Sequence, residues 1–119
     1  AHPLGAFYDT PHGVANATLL PYVMEYNAES PSRAKYLDIA RAMGVKTDGM
    51  SVDEGVRAAV DAVKALSLSI RIPQRLHELG VREEDIPALA VAAFNDVGTG
   101  GNPRPTSVEE IERLYHIAY

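Results

Sequence analysis

Two tetrads of one kind, Ser51-Val52-Asp53-Glu54 and Ser107-Val108-Glu109-Glu110, do more than anything else here to restrict what the chain can become. A serine followed three residues later by glutamate is a capping box. The hydroxyl and the carboxylate satisfy the free amides of a first helical turn, so each tetrad marks a helix start. Behind the first, Val52, Val56, Ala59, Val60, Val63 and Leu66 recur at helical spacing. Behind the second, Val108, Ile111, Leu114, Tyr115 and Ala118 form another apolar face.

Other helix signals fill the chain between and before them. Positions 13 to 27 predict a helix with Val14, Ala17, Leu20, Val23 and Met24 on one face, and Pro21 inside it costs a backbone bond or a kink. Ser30-Pro31 supplies an N-cap and a proline for a first turn, predicting a helix to about Met43, with Leu37, Ala40 and Met43 apolar and Gly44 as its stop. A short helix is expected over 73–79, ending at Gly80, and a longer one over 82–96, acidic at its start and rich in alanine after it. The stretch before Gly13 reads as a loop, as does GTGGNPRP from Gly98 to Pro105. No alternating run, hairpin or repeat is present. The expected fold is all-α, about six helices, in a single helical domain over 1–119.

Composition narrows the function. The chain has 119 residues, 46% of them hydrophobic, which suits one globular unit and not a disordered tail. The net charge is −5 without a run of basic residues, so neither nucleic acid nor an anionic membrane is an expected partner. No apolar run reaches membrane-spanning length, and no signal peptide is recognisable. Cysteine is absent, which removes disulfides, thiolate zinc sites and cysteine nucleophiles. A cytoplasmic protein is the default expectation.

Chemistry concentrates in AHPLGAFYDTPHGVAN, residues 1–16, where His2 and His12 stand among small residues, prolines and glycines. A chain opening there, without an initiator Met, is expected to be a piece of a larger protein. His12 lies between Pro11 and Gly13, where a helix begins, so its imidazole has a stiff support. Imidazole nitrogen is a donor for iron or zinc. The alternative is a hydrogen bond to neighbouring backbone, and spacing alone favours it, because a separation of ten positions matches no local zinc signature. Asp9, the one carboxylate near them in sequence, reads as a turn former or as a partner orienting an imidazole. The 96–104 loop is a second candidate, with glycines that allow close approach of a ligand and Arg104 to meet an anion. A plain helix-to-helix connection is the competing reading. His77 and His116 read as surface or packing residues.

These residues carry a resemblance. AHPLGAFYDTPHGVANATLLPYVMEYN is similar to a metal-binding signature of the iron-containing alcohol dehydrogenases, and KYLDIARAMGV, GVREEDIPALAVAAFNDVGTGGNPRP and EEIERLYHIAY resemble the lactaldehyde reductase (1,2-propanediol oxidoreductase) branch. The resemblance implies the later part of an all-helical metal-binding domain. An N-terminal α/β domain binding NAD(H) would precede it, and both that domain and the remaining metal ligands lie outside this chain. It implies His12 as a ligand of Fe2+, with Zn2+ as the other candidate metal, and His2 as a non-ligating residue that handles or positions a proton. Phe7, Gly98 and Thr99 fall in segments that line the substrate pocket, and relatives in the branch often carry cysteine where this chain has Gly98. The expected substrate is a small alcohol or aldehyde, and the expected partners are the missing N-terminal portion and further copies in a homo-oligomer. By itself the chain is expected to be inactive. Two alternatives stand beside this: a member acting on glycerol, butanol or maleylacetate, and a stand-alone helical interaction module.

Overall fold

The computed structural model describes all 119 residues, Ala1 to Tyr119. The α-helices are α1 (His2–Tyr8), α2 (His12–Asn27), α3 (Tyr36–Ala42), α4 (Val52–Ser69), α5 (Ile86–Phe94) and α6 (Val108–Ala118). Four short 3₁₀ turns join them, Pro31–Lys35, Leu76–Leu79, Glu83–Asp85 and Thr99–Gly101, and there is no strand. The all-α expectation with six helices is met.

Two apolar clusters lie side by side in a body of 44 × 31 × 20 Å. The larger gathers Leu4 of α1, Ala15 of α2, Leu76 and Val81 from the connection, Ile86, Leu89 and Ala90 of α5, and Tyr115 and Ala118 of α6. The smaller joins Tyr36 and Ala40 of α3 to Ala59 and Val60 of α4, with Ala28 between. Leu4, Leu76, Ile86, Leu89 and Val60 are fully enclosed, each contributing about 1.5–3 kcal/mol of hydrophobic burial. Helix α2 serves both clusters, with Leu19 and Tyr22 packed on the first and Met24 on the second.

That double duty corrects the expected face of α2. Its buried residues are Ala15, Thr18 and Pro21, while Leu20 is exposed. A helix covered on more than one side hides small residues at its closest contacts, and one apolar stripe does not describe it. Pro21 is accommodated without ending the helix.

The predicted opening loop is also corrected. Residues 2–8 form α1, because Pro3 occupies a first turn where no amide hydrogen is needed and Leu4 is drawn into the core. Ser30 caps as expected, accepting from Ser32 N–H, but the segment opens as a 3₁₀ turn before α3. The expected helix over 73–79 shrinks to the turn Leu76–Leu79, closed by Gly80 at φ 83°. The Ser51 capping box is complete. At Ser107 only half of it forms: Ser107 Oγ accepts from Glu110 N–H at 3.2 Å, but the Glu110 carboxylate turns away to Tyr26. On α4, Ala59 and Val60 are buried, whereas Leu66 lies past the core and is exposed. No helix is long and apolar enough to cross a membrane.

Candidate functional site

The two histidines of the opening stretch meet because each occupies the first turn of a helix and those helices pack together. α1 closes at Asp9, which adopts the left-handed conformation at φ 55°. Thr10 and Pro11 then lead directly into α2 at His12. Asp9 is thus the turn former the sequence suggested. The result sets the His2 and His12 rings against each other, centroids 5.1 Å apart and planes inclined by 27°.

The carboxylate that serves them is not Asp9. It is Asp96, just beyond the end of α5, whose Oδ2 lies 2.5 Å from His2 Nδ1. Its other oxygen accepts the Gly98 N–H at 2.7 Å. The His2 hydrogen bond, then the Gly98 amide, hold the Asp96 carboxyl below its ordinary pKa. His12 has its own partner one helical turn on, with Asn16 Nδ2 3.0 Å from Nε2.

A cleft of about 530 Å³ opens beside this pair. His2, His12, Asn16, Asp96, Gly98 and Thr99 form one side, and apolar groups such as Leu19, Tyr22 and Tyr115 form much of the rest. Among the expected pocket residues, Gly98 and Thr99 line it, while Phe7 projects from α1 outside its lining and is half exposed. Tyr115 is buried against it, and burial pushes its phenol up to about 12.

The loop bordering the cleft is tied down. Thr99 Oγ1 donates to Ala93 O at 2.5 Å. The amides of Asn27 and Asn102 pair reciprocally at 2.9 and 2.8 Å. Arg104 lies over the Tyr26 ring, 3.9 Å from its centroid, and Nη1 donates to Tyr26 O at 3.1 Å. Tyr26 Oη donates toward both Pro105 O and Glu110 Oε2 at 2.8 Å. Arg104 is therefore a fastener of the loop onto α2.

His77 and His116 stay outside the cleft, as expected. The first packs edge-on to Tyr119 at 5.8 Å, and the second stands 3.9 Å from Glu83 and from Glu112.

The model of the C-terminal part of the Fe-containing alcohol dehydrogenase family matches residues 1–119. The chain belongs to this family. It is 62% identical to the lactaldehyde reductase of Escherichia coli strain K12 over 119 residues, covering all of this chain and 31% of that protein. The 1,3-propanediol dehydrogenase of Citrobacter freundii is 44% identical, again over the whole chain and 30% of that protein. A crystal structure of 1,3-propanediol oxidoreductase superposes with a TM-score of 0.95 at 42% identity, over 99% of this chain and 31% of that one. The chain thus spans about a third of the length of such relatives.

The iron of the family name needs donors, and the cleft's donor set is limited. His2 Nδ1 is engaged by Asp96 and His12 Nε2 by Asn16, so each imidazole keeps one ring nitrogen for another partner. No three histidine, aspartate or glutamate side chains gather closely enough to hold a metal. An imidazole such as that of His12 would suit a borderline-soft ion such as iron or zinc as one ligand among several.

The sequence does not single out Asn16, Tyr26 or Asn27, and it marks Asp96 and Asn102 only as parts of the 96–104 loop. Two of these had local signals. Asp96 with Gly98 two residues on is an Asx turn, which fixes a carboxylate's direction. Asn16 follows His12 by four residues, the spacing of neighbours on one helix face.

Proposed function

We propose that this chain is the helical, C-terminal part of an iron-dependent, NAD-linked alcohol dehydrogenase acting on a small alcohol or aldehyde of the lactaldehyde type. The observation that carries the reading is the stacked His2–His12 pair on the wall of an open, largely apolar cleft. It occurs in a chain that matches the family along its whole length. His12 holds the metal together with ligands from an N-terminal portion, which also brings the nucleotide. When bound, the metal polarises the alcohol oxygen and the nicotinamide supplies the hydride acceptor. His2 takes the proton from the hydroxyl in oxidation and returns it in reduction. The apolar part of the cleft wall favours a short aliphatic substrate. Asn16 restrains the His12 ring from the next turn of α2.

The test uses this chain joined to the N-terminal portion its relatives carry. The joined protein is expected to reduce lactaldehyde with NADH faster than butyraldehyde or maleylacetate. His12→Ala is expected to lower metal content and abolish turnover, and His2→Ala to lower kcat about a hundredfold or more with metal retained. Preference for butyraldehyde or maleylacetate would move the protein to another substrate class in the family. Turnover unaffected by His12→Ala would remove the metal role.

A further inference from the structure

We infer that Asp96 is a positioning residue for His2: by accepting from Nδ1 it selects one tautomer of the ring and turns Nε2 toward the substrate as the atom that exchanges the proton. The inference rests on the reading of His2 as the proton-handling residue.

His2 has little else to fix it. Its side chain is 66% exposed and projects from the first turn of a seven-residue helix. Stacking on His12 holds the plane of the ring but not which edge faces the cleft. A neutral imidazole carries its hydrogen on either nitrogen, and the two tautomers present opposite atoms to a substrate. Something must choose between them.

Asp96 is built to do so. It is less exposed than His2, and its two oxygens are assigned separately. Oδ1 accepts the Gly98 amide, which locks the carboxylate to the backbone, and Oδ2 meets His2 Nδ1 at 2.5 Å. An ionised carboxylate only accepts, so the hydrogen lies on Nδ1 and the lone pair of the ring lies on Nε2. A Cβ at Gly98 would stand 3.1 Å from Asp96 Oδ1, a close contact that a small shift relieves. The loop itself is held to α2 by the Asn27–Asn102 pair and the Arg104–Tyr26 stack. The direction of the His2 ring is thereby referred, through Asp96, to a braced segment of the fold.

The proton balance is simple. In oxidation the hydroxyl proton would move to Nε2, and a nicotinamide, when bound, would supply the acceptor for the hydride on the adjacent carbon. The exposed ring edge then returns its proton to solvent.

The experiment compares Asp96→Asn, Asp96→Glu and His2→Ala, singly and combined, in the joined protein described above. Asparagine keeps the turn to Gly98, because its carbonyl oxygen still accepts that amide, but its NH₂ group also donates to the other imidazole tautomer. Asp96→Asn is expected to lower kcat tenfold to a hundredfold with KM changed less than about threefold, as for other residues that orient a functional imidazole. Asp96→Glu is expected to recover part of that loss. In a His2→Ala background, Asp96→Asn is expected to cost nothing further. A second reading does not need activity: ¹⁵N spectra of histidine-labelled, metal-free protein are expected to show His2 protonated at Nδ1, and a mixture of tautomers in Asp96→Asn. Retention of kcat within about twofold, additive losses in the double variant, or an unchanged His2 tautomer would each overturn the role of Asp96. An inactive unsubstituted protein would instead remove the dehydrogenase reading, and with it the catalytic purpose of the pairing.

Discussion

Tyr115 sits in the larger core with its ring beside the cleft, and burial raises its phenol from 10.0 to about 12. The folded chain therefore holds this proton more tightly than the unfolded chain does. Stability from this group is fully present below pH 10 and is lost as the pH climbs toward about 12. The two-unit difference corresponds to about 3 kcal/mol. Alkaline denaturation followed by tyrosinate absorbance is expected to show a steep loss of stability across that interval, and Tyr115→Phe to flatten it. An equal slope in both proteins would mean that Tyr115 ionises without disturbing the core. Among the site residues, His12 was legible because proline before it and glycine after it announce a helix start. Asp96 was not, since 94 positions separate it from His2 and no local pattern reports a contact formed by folding. Asp9 was the nearer carboxylate in sequence and the wrong one in space.

Between α3 and α4 the contact depends on Gly55. An added Cβ there would come within 2.6 Å of Leu37 Cδ2 and 2.7 Å of Cγ, so the glycine permits the helices to lie this close. Gly55→Ala is expected to destabilise the chain by about 1–3 kcal/mol through overpacking, despite the better helix propensity of alanine. With Leu37→Ala the obstruction is gone, and the same substitution should become neutral or stabilising by up to about 1 kcal/mol. Denaturant melts of the four proteins check this, and equal effects in both backgrounds would refute it. Helix starts were readable from capping residues because a cap is a local transaction between a side chain and amides three residues away. The interior faces were harder. α2 touches α1, α4 and α6, so its buried positions follow from several neighbours rather than from one apolar stripe. Likewise Ser107 showed a full capping box in sequence, while Glu110 is taken by Tyr26 from across the fold.

Seen as one body, the molecule places a cleft on one flank and leaves several apolar side chains uncovered. Leu66, Leu68 and Ile70 are more than half exposed at the far end of α4, and Val97 is 99% exposed beside the cleft loop. Metal binding tests the proposed reading at this scale, because no three donor side chains of the chain gather in one place. Calorimetric titration of the 119-residue chain alone is expected to show Zn2+ or Fe2+ affinity at least a thousandfold weaker than in the joined protein, a loss of about 4 kcal/mol or more. Equal affinities would place a complete site within these residues. The helical class, most helix boundaries and the two histidines were legible in the amino-acid order, since caps, breakers and periodicity act over a few residues. That the opening stretch is a helix, that His2 and His12 stack, and that Asp96 holds His2 came from the packed fold. Those facts depend on contacts between distant parts of the chain, whose geometry is set by how the helices pack.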